Sequence, residues 1–227
     1  MAARLILFDI DGTLAYTHGA GRAATRGAML EVFGTEAGLA AHKFGGKTDL
    51  QTLVELLGPL GYSTETITAQ MPAYTLVVER HMRAVIGEFT AQALPGSLAL
   101  VEALHHRDDV LLGIVTGNVS RIAPLKLTAA GFQMDWFPVG AFGDEALDRN
   151  DLPPLALERA ATHYQQTITP AQVIIVGDTP ADVASARALG AVAVAVPTGF
   201  ATREQLRASQ PDVLLDDLTG FAAALDL

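Results

Sequence analysis

Apolar and polar positions along this chain follow two regimes. Near the start, Leu5-Ile6-Leu7-Phe8 is an unbroken apolar run that stops on Asp9-Ile10-Asp11-Gly12-Thr13. That pattern predicts a buried strand of a parallel sheet, whose carboxyl end is where open α/β sheets place their ligands. From Ala20 to about Gly87 the apolar residues recur instead at helical spacing, as at Leu50, Leu53, Val54 and Leu57. Breaks at Gly34, Gly45-Gly46, Gly58-Pro59 and Gly61 divide this stretch into several short helices, with Thr48-Asp49 as a helix start. It is too long for a simple crossover between strands, which takes one helix. An inserted helical cap over residues 16–91 is expected, with a core formed by 1–15 and 92–227.

After Leu94-Pro95-Gly96 the elements alternate. Helices are expected over Ser97 to His106, Ser120 to Ala130, Leu152 to Tyr164 and Pro180 to Leu189. Between them fall strands over Val110 to Thr116, Val139 to Phe142, Val173 to Val176 and Ala191 to Val196. A short strand, Val213 to Leu215, precedes a last helix. Strict alternation predicts an α/β fold built on a doubly wound parallel sheet covered on both faces.

Composition narrows the function classes. Half of the 227 residues are hydrophobic and 18% are charged, as in a compact globule. Fifteen basic against twenty-five acidic residues give a net charge of −10, which argues against nucleic acid or an anionic membrane as partner but leaves room for a local basic pocket. With no cysteine, disulfides, thiolate metal sites and a cysteine nucleophile are excluded. Asp9 and Asp11 interrupt the first apolar run before a signal sequence would be complete. The longest apolar run, Leu189 to Val196, is far short of the ~20 residues of a membrane span. A soluble, cytoplasmic protein is expected.

Three strand ends carry the chemistry: Asp9-x-Asp11, Thr116-Gly117-Asn118, and Gly177-Asp178-Thr179-Pro180-Ala181-Asp182. Paired carboxylates repel and are costly to desolvate, so they call for a cation, and three of them suit Mg²⁺. Thr116, with the backbone N–H groups behind it and a helix following, suits an anion. Asp182, one helical turn beyond Asp178, either supports the site or serves as an acidic residue at a helix N-terminus. A metal, an anion site and a free carboxylate suit phosphoryl transfer, in which one Asp attacks phosphorus and another moves protons.

A fixed cation is also needed. The chain has three lysines. Lys43 and Lys47 fall in the cap, and Lys126 is expected to point away from the sheet edge from inside its helix. Arg149, in the polar loop Gly143 to Asp151, can bind phosphate bidentately and is preferred. The six histidines show no metal-ligand spacing, and His105-His106 are expected on an exposed helix end.

These motifs, in this order and with a helical insert after the first, resemble the haloacid-dehalogenase-like superfamily of hydrolases, within it the phosphoglycolate-phosphatase-like branch. The resemblance spans essentially the whole chain. It implies a Rossmann-like core with a helical cap, Mg²⁺ as cofactor and an aspartyl-phosphate intermediate. Asp9 would be nucleophile and metal ligand, and Asp11 the general acid/base that also ligates metal through its main-chain carbonyl. Thr116, Gly117 and Asn118 would bind phosphate, Asp178 would ligate Mg²⁺, and Asp182 would support the site. The family's third motif is a lysine, usually followed by proline, where this chain has Arg149-Asn150.

In such proteins the cap selects the substrate. Lys47, between Gly45-Gly46 and the helix start, is placed to reach it on cap closure, with His18 and Arg22 as further candidates. The expected partner is a small phosphorylated metabolite, phosphoglycolate first. A phosphosugar mutase with the same two acids and a slowly turning over, phosphorylatable regulatory or binding protein are the alternatives. A dehalogenase is disfavoured because Asp11 has no leaving oxygen to protonate there.

Overall fold

The computed structural model describes residues 3–227. Strand β1 (Arg4–Phe8) is apolar on both faces because both are covered. Leu5 and Leu7 enter one layer and Ile6 and Phe8 the other, as a side-chain period of two requires. β1 pairs in parallel with β4 (Val110–Val115) and β6 (Val173–Gly177). β5 (Val139–Ala141) extends the sheet beyond β4, and β7 (Val192–Ala195) and β8 (Val213–Leu214) extend it beyond β6. The order is therefore β5-β4-β1-β6-β7-β8, the doubly wound parallel sheet expected from the alternation.

On one face lie α4 (Ser97–His105), α5 (Ala123–Ala129) and α9 (Phe221–Ala224), packed through Val101, Leu127 and Phe221 on Ile6, Phe8 and Ile114. The other face carries α6 (Leu152–Tyr164), α7 (Pro180–Leu189) and α8 (Arg203–Ala208), through Ala156, Val183 and Leu206 on Leu5, Leu7 and Ile175. The chain leaves β1 for β4 on one side and later fills β6 on the other, so the switch in winding direction falls at β1, where ligand crevices open in such sheets.

The helical insert leaves through β2 (Ala15–Tyr16) and returns through β3 (Gln92–Ala93), which pair antiparallel. Between them are α1 (Ala20–Phe33), α2 (Asp49–Leu57) and α3 (Thr64–Val85). Thr48 and Ser63 cap α2 and α3 by accepting from the backbone N–H of Gln51 and Thr66. The three helices share an apolar cluster that includes Met29, Leu53, Tyr74 and Met82 and takes in Val119 and Ile122 from the loop after β4. That loop is longer than the alternation suggested: α5 begins at Ala123, not at Ser120. Among the described residues no helix is long and apolar enough to cross a membrane.

Candidate active site

The carboxyl ends of β1, β4 and β6 bring the three acidic and polar motifs together. Asp9 follows β1 directly, its backbone N–H still donating to the Val176 carbonyl of β6 at 2.9 Å. Asp178 follows β6, and its side chain is fully buried. One carboxylate oxygen of Asp9, Asp178 and Asp182 each lie within 4.8 Å of one another. Burial, with Asp182 and Asp11 adding to it, raises the Asp9 carboxyl to about 6 against the pull of Arg149. Burial and the neighbouring Asp182 and Asp9 push Asp178 well above the ordinary carboxylate range.

The three acids have different partners. Both Asp182 oxygens are engaged: Oδ2 accepts from the backbone N–H and hydroxyl of Thr179, and Oδ1 accepts from Arg149 at 2.5 Å. Asp178 Oδ2 accepts from the Phe200 N–H at 2.5 Å, whereas its Oδ1 is buried with no hydrogen-bond partner among the described residues. Gly12, at φ +86°, makes room for this acid: a Cβ there would lie 2.5 Å from Asp178 Oδ2. An orphaned buried oxygen beside a second buried carboxylate is a donor set suited to a hard divalent ion.

Arg149 stands in a short 3₁₀ turn, Arg149–Asp151, that leads into α6. Its Nη2 lies 3.1 Å from Asp9 Oδ1 as well as against Asp182, and its side chain is 6% exposed. The arginine expected at the site is there, paired with two of its acids.

Asp11 belongs to a second network. Its Oδ2 accepts from Asn118 Nδ2 at 2.7 Å and from Lys126 Nζ at 2.6 Å. Asn118 Nδ2 also donates to Thr116 Oγ1 at 2.8 Å, and Asn118 Oδ1 accepts from Lys126 at 2.6 Å. Lys126 thus does not point away from the sheet edge, as its distance along a helix starting at Ser120 suggested. α5 starts three residues later, so Lys126 lies in its first turns, and helical side chains tilt toward the N-terminus. Its four-carbon stem therefore returns to the strand end.

The backbone behind Thr116 is also arranged differently from a plain helix N-terminus. The Val119 N–H donates to Asp49 Oδ2 at 2.9 Å and the Ser120 N–H to Asp144 at 2.8 Å. These two donors are taken by carboxylates of the chain itself, and the Asn118 N–H donates to Thr116 Oγ1 at 3.4 Å; Thr116, Gly117 and Asn118 also line the cavity under the insert.

The insert closes over this floor. At the start of α2, the Asp49 N–H donates to the Gly117 carbonyl at 2.7 Å and the Leu50 N–H to Gly143 at 3.0 Å. Burial raises the Asp49 carboxyl to about 6, against the bond from Val119 and the charge of Lys126. The fit leaves no space at Gly117, where a Cβ would lie 1.9 Å from the Lys47 carbonyl oxygen. Between the two parts is a cavity of about 180 Å³, whose lining includes Asp9, Asp11, Thr116, Asn118, Lys126 and Arg149. His18, Arg22 and Lys47 line it from the insert. Lys47 is ion-paired with Glu55, and the Arg22 guanidinium stacks 4.6 Å over the Phe44 ring while donating to the carbonyls of Leu39 and His42. His105 and His106 are exposed at the end of α4, as expected.

Of the cavity-lining residues, Asp49 had been read only as part of a helix start, and Lys126 as pointing away from the site. The scarcity of lysine was the available signal for Lys126. For Asp49 there was only its place directly after a capping threonine.

Residues 3–190 match the family model described as haloacid dehalogenase-like hydrolase. A phosphoglycolate phosphatase of Pseudomonas putida is 26% identical over 219 residues, 95% of this chain and 77% of that protein. The probable phosphatase IndB of Dickeya dadantii is 27% identical over 231 residues, 97% of this chain and 94% of that protein. Among solved structures, CbbY from Rhodobacter sphaeroides in complex with phosphate superposes with a TM-score of 0.70 at 21% identity, covering 99% of this chain and 100% of that one. At that identity the superposition shows the shared fold.

Proposed function

Because this chain belongs to the haloacid dehalogenase-like hydrolase family, we propose that it is a Mg²⁺-dependent phosphatase of a small phosphomonoester, phosphoglycolate-like, acting through a phosphoryl group carried on Asp9. The observation that carries this reading is the pairing of two differently supported acids on one strand end: Asp9 against Arg149 and the Asp178 carboxylate, and Asp11 against Asn118 and Lys126. Relatives named phosphatases, matching over nearly the whole chain, support the same class.

The residues present fit a hard divalent cation, given the unpartnered Oδ1 of Asp178 beside Asp9. Asp9, Asp178 and the main-chain carbonyl of Asp11 would hold Mg²⁺, which supplies positive charge to the phosphoryl oxygens when bound. Asp182, its oxygens already engaged, orients Arg149 and the Thr179 turn.

In the first half-reaction the Asp9 carboxylate attacks phosphorus while Arg149, the Thr116 hydroxyl, the Gly117 N–H and the Asn118 N–H, turned from its 3.4 Å bond to Thr116 Oγ1, hold the non-bridging oxygens. Asp11 gives its proton to the leaving oxygen. In the second half-reaction Asp11 takes a proton from the attacking water, releasing inorganic phosphate and restoring both acids. Residues 16–91 act as a cap that shields the phosphorylated Asp9 from bulk water, with Lys47 at the substrate end.

The test is turnover of a panel of phosphorylated metabolites by the purified protein with Mg²⁺. Phosphoglycolate and similarly small monoesters should release phosphate fastest. If a sugar monophosphate were instead isomerised in the presence of its bisphosphate, the protein would be a mutase. If no monoester released phosphate, the phosphatase reading would be overturned.

A further inference from the structure

Lys126 is 4% exposed, and a buried ammonium is costly unless it is well paired. Its partners are Asp11 Oδ2 and Asn118 Oδ1, each at 2.6 Å, and Asn118 also donates to the same Asp11 oxygen. Both donors converge on Oδ2, and no described residue donates to Asp11 Oδ1. The Asp11 side chain is still 22% exposed and lines the cavity. One oxygen is therefore clamped and the other is open to whatever occupies the site.

The two buried cations at the site are divided between the two acids: Arg149 faces Asp9 and Asp182, and Lys126 faces Asp11. Lys126 also touches the insert. At Gly21, in the first turn of α1, a Cβ would lie 3.1 Å from Nζ and 3.3 Å from Cε. The closed insert and the Asp11 clamp thus share one side chain.

We propose that Lys126 is a positioning residue dedicated to proton transfer: with Asn118 it fixes Asp11 so that Oδ1 presents its proton to the leaving oxygen. This rests on the reading of Asp11 as the acid/base. As the bond between phosphorus and the leaving oxygen breaks and the bond to Asp9 forms, the Oδ1 proton passes to the leaving oxygen. The carboxylate left behind is balanced by Lys126. When water then attacks phosphorus, the fixed carboxylate takes the proton back and Asp9 is released.

Leaving-group dependence tests this, because a p-nitrophenolate departs without a proton and an alkoxide does not. kcat/KM reports steps through the first phosphoryl transfer, so it is compared for p-nitrophenyl phosphate and an alkyl phosphate. Lys126→Met should lower kcat/KM for the alkyl ester at least about 10-fold more than for the aryl ester. In an Asp11→Asn background it should change that ratio little further. Equal losses on both esters would overturn the proposal and make Lys126 a phosphate-binding or purely structural cation. If Lys126→Met does not fold, Lys126→Gln, which keeps a donor but not the charge, must shift the same ratio in the same direction, and no shift overturns the proposal. Asp11→Asn by itself separates this from the underlying reading: if that variant keeps full turnover, the acid/base assignment fails before Lys126 is considered.

Discussion

The Arg149 guanidinium lies 3.1 Å from the Asp9 carboxylate, with both side chains less than a tenth exposed. The same Nη2 is bonded to Asp182, so one arginine balances two buried acids. Removing one partner of such a pair leaves uncompensated buried charge. Arg149→Ala should lower kcat/KM by at least about 100-fold and destabilise the protein by about 3–5 kcal/mol. Arg149→Lys should recover stability in part but not activity, because Nη2 alone engages both acids and an ammonium in its place has no second nitrogen to offer a phosphate oxygen. Steady-state kinetics and denaturant unfolding of the two variants check this.

Asp178 offers a buried oxygen without a partner. Adding Mg²⁺ to metal-free protein should raise Tm, by the linkage that favours any state binding a ligand. In Asp178→Asn the increase should disappear while the metal-free fold survives, since burial disfavours the charge of this acid and the amide removes it. Thermal melts with Mg²⁺ and with EDTA give the comparison. An equal rise in both proteins would place the ion elsewhere.

Asp49 couples the insert to pH. Its carboxyl is raised from 3.8 to about 6, mainly by burial. Below the unfolded value both states are protonated and the group is neutral to stability. As pH rises from 3.8 to about 6 the unfolded chain ionises this acid while the folded protein keeps it protonated, so stability is lost across that window and stays lost above it. Asp49→Asn keeps an oxygen for the Val119 N–H and removes the charge. It should stabilise the protein by about 1–2 kcal/mol at pH 8, allowing for the partly open site, and by almost nothing at pH 4. Unfolding at the two pH values reads the difference.

Gly117 and the Lys47 carbonyl meet backbone to backbone, so neither can yield by a change of rotamer. Gly117→Ala should prevent the insert from seating on the loop after β4. The expected result is a loss of about 1–3 kcal/mol and faster proteolysis within residues 42–50. Limited proteolysis with and without substrate measures it.

The sheet and the acids at its edge were legible in the sequence because each buried strand is a short apolar run that ends on a polar residue. Asp9, Thr116 and Asp178 could be read off those endings. Arg149 was preferred because the chain has only three lysines and because its polar loop lies where the family carries one. Lys126 was misplaced because its position was measured along the helix axis, while the direction of a long helical side chain and the true start of α5 decide where its charge sits. The pairing of β2 with β3 was invisible for another reason: two residues are too few to show a period. Asp49 was legible only as part of a helix start, because its partner, the Val119 N–H, is 70 residues away and is brought to it only by the closed insert.

Turnover of p-nitrophenyl phosphate by Asp9→Asn with Mg²⁺ reads out whether Asp9 carries the phosphoryl group. The substitution keeps the size of the side chain and removes the attacking oxygen anion. In this variant kcat should fall by at least about 1,000-fold while the protein remains folded. Turnover near that of the unaltered protein would contradict it.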